Sequence, residues 1–259
     1  MNSPQSNPRL VVDFVSQERS GSDGVPREVV VLVSLLVLIG YVTETEVLKR
    51  LRPQSVAMNP VTAIGIILAG ISLFLRQENF MNRYRKPARV LAYIITGIGG
   101  LKILLLLTNL NFPFDQFLFH NQLWEPYYKV TNGVAPNTAV NLFLIGMALL
   151  VINYETKSGR RPSQYIAIVC SLLALVSLYG YVYEITALYK VTTYLPMAPH
   201  TAFCFLLLSA GILFARPDKG SMAIVIGESS SQIIFMRFLA MVLPLIFGWL
   251  KLQGQKAGY

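Results

Sequence analysis

Long apolar runs separated by short basic gaps dominate the chain. Measured against the ~20 residues that one membrane crossing needs, the runs predict seven helices, over about residues 28–48, 60–75, 90–107, 136–152, 165–183, 199–214 and 233–250. The first run is uncharged only from Val29 to Thr43, so its helix is expected to continue past Glu44 and Glu46 with both carboxylates among the headgroups. Residues 1–26 are polar, rich in Ser, Gln, Asn, Pro and Gly, and lack a signal-peptide pattern. They predict a mobile tail ahead of one polytopic domain over 27–259.

Three of the runs open on one phrase. Met58-Asn59-Pro60-Val61-Thr62-Ala63, Val134-Ala135-Pro136-Asn137-Thr138-Ala139 and Met197-Ala198-Pro199-His200-Thr201-Ala202 share the Pro-x-Thr-Ala core. Proline suits the first helical turn, where its missing N–H would have had no intrahelical partner. Downstream positions keep register: Leu68, Leu144 and Leu207 fall six residues past the threonine, and Gly70, Gly146 and Ser209 eight past it. Small residues at one depth are what close helix approach in lipid requires, so these three are expected to pack the phrase helices around a shared centre. A second match, Gly40-Tyr41-Val42-Thr43-Glu44 against Gly180-Tyr181-Val182-Tyr183-Glu184, makes the unit a two-helix hairpin. The predicted fold class is all-α integral membrane: three hairpin repeats plus a seventh helix.

Composition agrees with this. Of 259 residues 54% are hydrophobic and 14% charged, which excludes an ordinary water-soluble domain. The net charge of +9 comes from Lys and Arg placed in the gaps rather than on one amphipathic stretch, so it points to membrane topology and not to nucleic acid. Counted gap by gap, thirteen Lys and Arg fall on the side of the N-terminal tail and seven on the other. The excess puts the N-terminus in the cytoplasm and all three phrases on the outer side. There they join the longest connection, 108–135, which carries Phe112, Phe114, Phe117, Phe119, Trp124, Tyr127 and Tyr128.

Candidate chemistry is sparse. Cys170 and Cys204 lie inside apolar runs and read as small hydrophobes, and the two histidines, His120 and His200, are too few for a metal site. Residues 227–231, Gly-Glu-Ser-Ser-Ser, lack the spacing of a nucleophile elbow. No catalytic constellation or cofactor motif emerges, and the chain is not expected to be an enzyme. Lys102 is the clearest charge inside an apolar run; it either snorkels outward or pairs with Glu184 or Glu44 at the same depth. Arg237, near the inner end of the last helix, reads as a headgroup anchor. A ligand pocket on the outer face is expected from Lys102, Trp124, Tyr127, Glu184 and His200, few polar groups among aromatic ones, suited to a small apolar or amphipathic ligand.

The three phrases, with the closing stretch from Leu243-Pro244 to Ala257-Gly258, resemble the N-terminal multi-helix membrane region of bacterial multidomain sensor proteins. Val134 departs from the pattern, standing where the other phrases have Met. In that group the region precedes PAS modules and a histidine kinase or diguanylate cyclase output domain. The resemblance implies a sensory input module of the bacterial inner membrane, working in signal transduction of the two-component kind, embedded in the bilayer and homodimeric in its full-length form. Internal repeats also build carriers and structural subunits of membrane complexes, which remain the alternative reading. Seven crossings from a cytoplasmic N-terminus leave Tyr259 outside, so an eighth helix is expected to follow and lead to the output domain.

Overall fold

The computed structural model of the chain describes residues 25–51, 55–76, 81–108, 110, 112–183 and 195–215. Among the described residues there are seven helices: α1 (Val25–Val42), α2 (Glu46–Lys49), α3 (Pro60–Phe74), α4 (Met81–Thr108), α5 (Pro136–Leu150), α6 (Pro162–Val182) and α7 (Pro199–Phe214). A two-stranded antiparallel hairpin, β1 (Trp124–Glu125) and β2 (Val130–Thr131), lies between α4 and α5. The expected helix over 233–250, with Arg237, and the tail before Val25 lie outside the described residues.

Each phrase starts a helix at its proline. Asn59 caps the first of them, its side-chain oxygen accepting from the Val61 amide at 2.9 Å. Alanine stands at the same cap position before Pro136 and Pro199.

The helices pair as hairpins, α1 with α3, α4 with α5, and α6 with α7. The phrase helices α3, α5 and α7 touch one another in the middle. Each outer helix also packs on the preceding unit's inner one, α4 on α3, α6 on α5, and α1 on α7, so the ring closes. The core is built from the facing sides, with Ile66, Leu142, Ile145, Phe205 and Leu208 all buried.

The first helix is shorter than expected. It ends at Val42 rather than running to residue 48, because Glu44 takes a left-handed backbone (φ 57°) and turns the chain back. Leu48 then folds over Gly40, where a methyl group would stand 2.7 Å from the leucine Cβ. Glu44 is exposed and accepts a hydrogen bond from Gln122 at 3.3 Å, and Glu46 pairs with Lys49 and Arg50, both at 2.9 Å. The third helix is longer than expected: α4 begins at Met81, so the basic gap forms its first turns, with non-helical dihedrals at Tyr84 and Pro87 inside.

Seven crossings were expected from the apolar runs. By length and composition two described helices, Arg83–Thr108 and Pro162–Val182, are long and apolar enough to cross a membrane. Glu28–Val42 and the three phrase helices are shorter; 15 residues of α3 make only about 22 Å at ~1.5 Å per residue. The outer helices nevertheless carry exposed apolar stripes at helical spacing: Leu32, Leu35, Leu36 and Ile39 on α1, Val90, Ile94, Leu101 and Leu104 on α4, and Tyr165, Ile168, Val169 and Leu172 on α6.

The small residues also act differently from expectation. Gly146 does not face the shared centre but α4, where a Cβ would come within 2.7 Å of the Thr96 amide nitrogen. Gly99 answers from α4, its place for a Cβ only 2.7 Å from the Ala139 carbonyl oxygen, so the two glycines interlock the hairpin. Ser209 lies beside Cys170 on α6, and Gly70 is buried on α3. The centre instead uses Gly65, against Leu142 of α5, and Gly211, against Leu73 of α3.

Replacing Gly146 with Leu must push α4 off α5 and should destabilise the protein by about 3 kcal/mol, the upper part of the range for overpacking. Gly97→Leu is the control, since nothing lies within 4 Å of a Cβ there. Thermal melts of the two variants in detergent check this; equal midpoints would contradict the interlock.

Candidate ligand pocket at the convergence of the repeats

The connection between α4 and α5 folds into a cap. Two 3-10 turns, Phe114–Gln116 and His120–Gln122, lead into the β1–β2 hairpin, whose register pairs Glu125 with Val130. Leu123 is buried beneath it, and the Phe119 ring meets Tyr41 of α1 at 5.3 Å between centroids.

The cap's two carboxylates are among its deepest groups, Asp115 at 0% exposure and Glu125 at 1%. Buried ions must be paired and hydrogen-bonded to persist, and both are. Glu125 takes Arg50 Nη1 at 2.9 Å, the Ala57 amide at 3.1 Å and Asn132 Nδ2 at 3.0 Å. Burial still pushes its carboxyl above the usual carboxylate range, against the downward pull of Arg50 and the two N–H donors. Asp115 takes Lys102 Nζ at 2.6 Å and the Val134 amide, while its backbone carbonyl accepts from Asn59 Nδ2 at 3.0 Å. Lys102 therefore neither snorkels free nor pairs with Glu44. Its partner comes from the connection thirteen residues later, because the cap folds back over the end of α4.

Beneath the cap the three phrases meet around one pocket enclosing about 200 Å³, its mouth included. The first unit lines it with Val56, Ala57, Asn59 and Thr62, the second with Asn132, Gly133, Ala135 and Thr138, and the third with Pro196, Ala198 and Thr201. Counted from each proline these are the same positions: four, three and one before it and two after, the third unit omitting only the first. The pocket is thus a product of the repeat. Thr62, Thr138 and Thr201 are 2–3% exposed, and none of their hydroxyls has a hydrogen-bond partner among the described residues.

The second half of the hairpin signature locks the phrases in place. Tyr181 of Gly180-Tyr181 donates its hydroxyl to the Met197 carbonyl at 2.7 Å, holding the residue two before Pro199. In the first unit the corresponding Met58 donates its amide to the Lys49 carbonyl at 3.1 Å, and the Lys49 ammonium lies over the Tyr41 ring at 5.1 Å.

Of the residues expected to form a site, Lys102 reaches the cap through Asp115. Trp124 and Tyr127 are exposed on the cap's outer surface and do not line the pocket. His200 is buried beside Thr201 without lining the pocket, and neither ring nitrogen has a hydrogen-bond partner among the described residues. Glu184 lies outside the described residues. Sequence reasoning passed over Asp115, Glu125, Arg50 and Asn132. The available signal was that Asp115 and Glu125 are the only acids in an otherwise aromatic connection. Among the described residues no group of three His, Cys, Asp or Glu could hold a metal ion.

Comparison with protein families, characterised proteins and solved structures finds no match to this chain.

Asp115→Asn removes one partner of a buried pair, which should cost about 3 kcal/mol. Lys102→Met combined with it should cost less than the two single changes summed, with a coupling of about 1 kcal/mol or more. Chemical or thermal unfolding of the four proteins measures the cycle, and strict additivity would contradict the pairing.

Proposed function

We propose that this chain is a membrane-embedded sensory input module of a bacterial signal-transduction protein, with the pocket under the cap as its sensory site. The observation that carries the reading is the convergence of all three repeat phrases on one capped pocket. Outward apolar stripes on α1, α4 and α6 support a lipid environment, since soluble monomers rarely expose large contiguous apolar surfaces.

In this reading every hairpin and the apolar run over 233–250 cross the inner membrane, with the N-terminal tail in the cytoplasm and the cap outside. The short phrase helices leave the outer part of the bilayer to the pocket and the cap. The exposed Trp124 and Tyr127 suit the outer interface, where rings with one polar end are favoured. The resemblance to sensor input regions supplies the output: a cytoplasmic kinase or cyclase, in a homodimer. A guest that prefers one arrangement of the cap shifts its population, and α4, which carries Lys102, links the cap to the opposite end of the bundle. Catalysis is left to the output domain.

The test joins the chain to a cytoplasmic histidine-kinase core and adds single cysteines. An impermeant maleimide on intact cells should label Tyr127→Cys and spare Lys157→Cys, because the first lies on the cap and the second between α5 and α6. Kinase activity should shift in Asp115→Asn, which frees the cap. Reversed labelling, or a kinase indifferent to the state of the cap, would sink the reading.

A further inference from the structure

The pocket has a chemistry of its own. α3, α5 and α7 all begin at it, and the first turn of a helix carries a partial positive charge of about half a unit. Its first amides also lack intrahelical acceptors. At the pocket the Val61 amide is taken by Asn59 and the Thr138 amide by Asn137, but the amides of Thr62 and Thr201 have no acceptor among the described residues. With the three unpartnered threonine hydroxyls, the free groups here can all donate, though the hydroxyls can also accept.

Four of the pocket's carbonyl acceptors are already engaged. Carbonyls of Asn59, Ala135 and Ala198 receive the amides of Ala63, Ala139 and Ala202, and the Ala57 carbonyl receives Asn132 Nδ2. The neighbouring carboxylates do not set the field either, since Asp115 and Glu125 are each matched by one cation, Lys102 and Arg50. What remains uncompensated is the positive end of three helices.

The space bounds the guest. Most of the roughly 200 Å³ is open mouth, and the room left among the side chains suits a guest of about the size of one water. We propose that this pocket binds a small monovalent inorganic anion, of the halide or nitrate class, held by the hydroxyls of Thr62, Thr138 and Thr201. The inference rests on the reading of the pocket as the sensory site and replaces the apolar ligand expected from the sequence. Equivalent placement suits a spherical or trigonal guest, because each unit offers one hydroxyl from the same helical position.

Chloride-35 NMR on the full chain in detergent tests it, with gluconate exchanged for chloride at constant ionic strength. Excess line broadening should saturate with chloride and be removed by nitrate. Thr138→Val keeps the shape but loses the hydroxyl and should weaken binding about tenfold, the size of one hydrogen bond to a charged group. Thr138→Ser should bind like the parent, as should Thr108→Val, an exposed threonine outside the pocket. Should Thr138→Val fail to fold, the parent titration decides alone. No saturable broadening, or broadening that nitrate leaves in place, overturns the proposal, as does binding unchanged in Thr138→Val. A joined kinase that ignores chloride while the broadening persists would remove the sensory reading and keep the anion site. A kinase responding to another stimulus, with no broadening, would do the reverse.

Discussion

Two buried carboxylates decide the shape of the outer end of this protein. Asp115 and Glu125 belong to a connection that could have stayed in solvent, yet they are among the least exposed groups in it. An unpaired carboxylate at that depth would cost several kcal/mol, so the connection is stable only where Lys102 and Arg50 can reach it. Lys102 comes from α4 and Arg50 from the segment just after α2, so the two pairs fasten the cap to two different units. Asn59 and Asn132 complete the attachment by bonding across the same seam. Remove these pairs and the pocket loses its roof.

Below the cap, repetition divides the labour. The proline of each phrase sets where an inner helix begins, the threonine two residues on faces the pocket, and the residues before the proline form its wall. Outer helices repeat less strictly because they meet different surroundings. The second hairpin closes through interlocked Gly99 and Gly146, whereas the third sets Cys170 beside Ser209. One architecture is thus kept by different small-residue solutions.

This explains what could and could not be read from the chain alone. The phrase helices were legible to within two residues, since proline fixes their starts and apolar runs their lengths. The three-hairpin plan was legible because the phrase recurs in register. The end of α1 was not, because a left-handed turn at Glu44, a residue with no special preference for it, outweighs the continuing helical pattern. The role assigned to Gly146 failed for a related reason: register places a small residue at a depth but does not say which neighbour it faces. The partner of Lys102 was missed because depth alone was matched, while a folded cap can bring a carboxylate from a connection. Aromatic rings marked the cap but not the pocket, and Trp124 and Tyr127 lie on its outer surface.

The central claim is that three equivalent positions, one per repeat, surround one space. Pairwise cysteine cross-linking measures it most directly. In a chain with Cys170 and Cys204 replaced by serine, Thr62, Thr138 and Thr201 are changed to cysteine two at a time and treated with a short bifunctional maleimide. All three pairs should link with similar efficiency inside one chain. Linking in only one pair, or in none, would contradict a shared pocket.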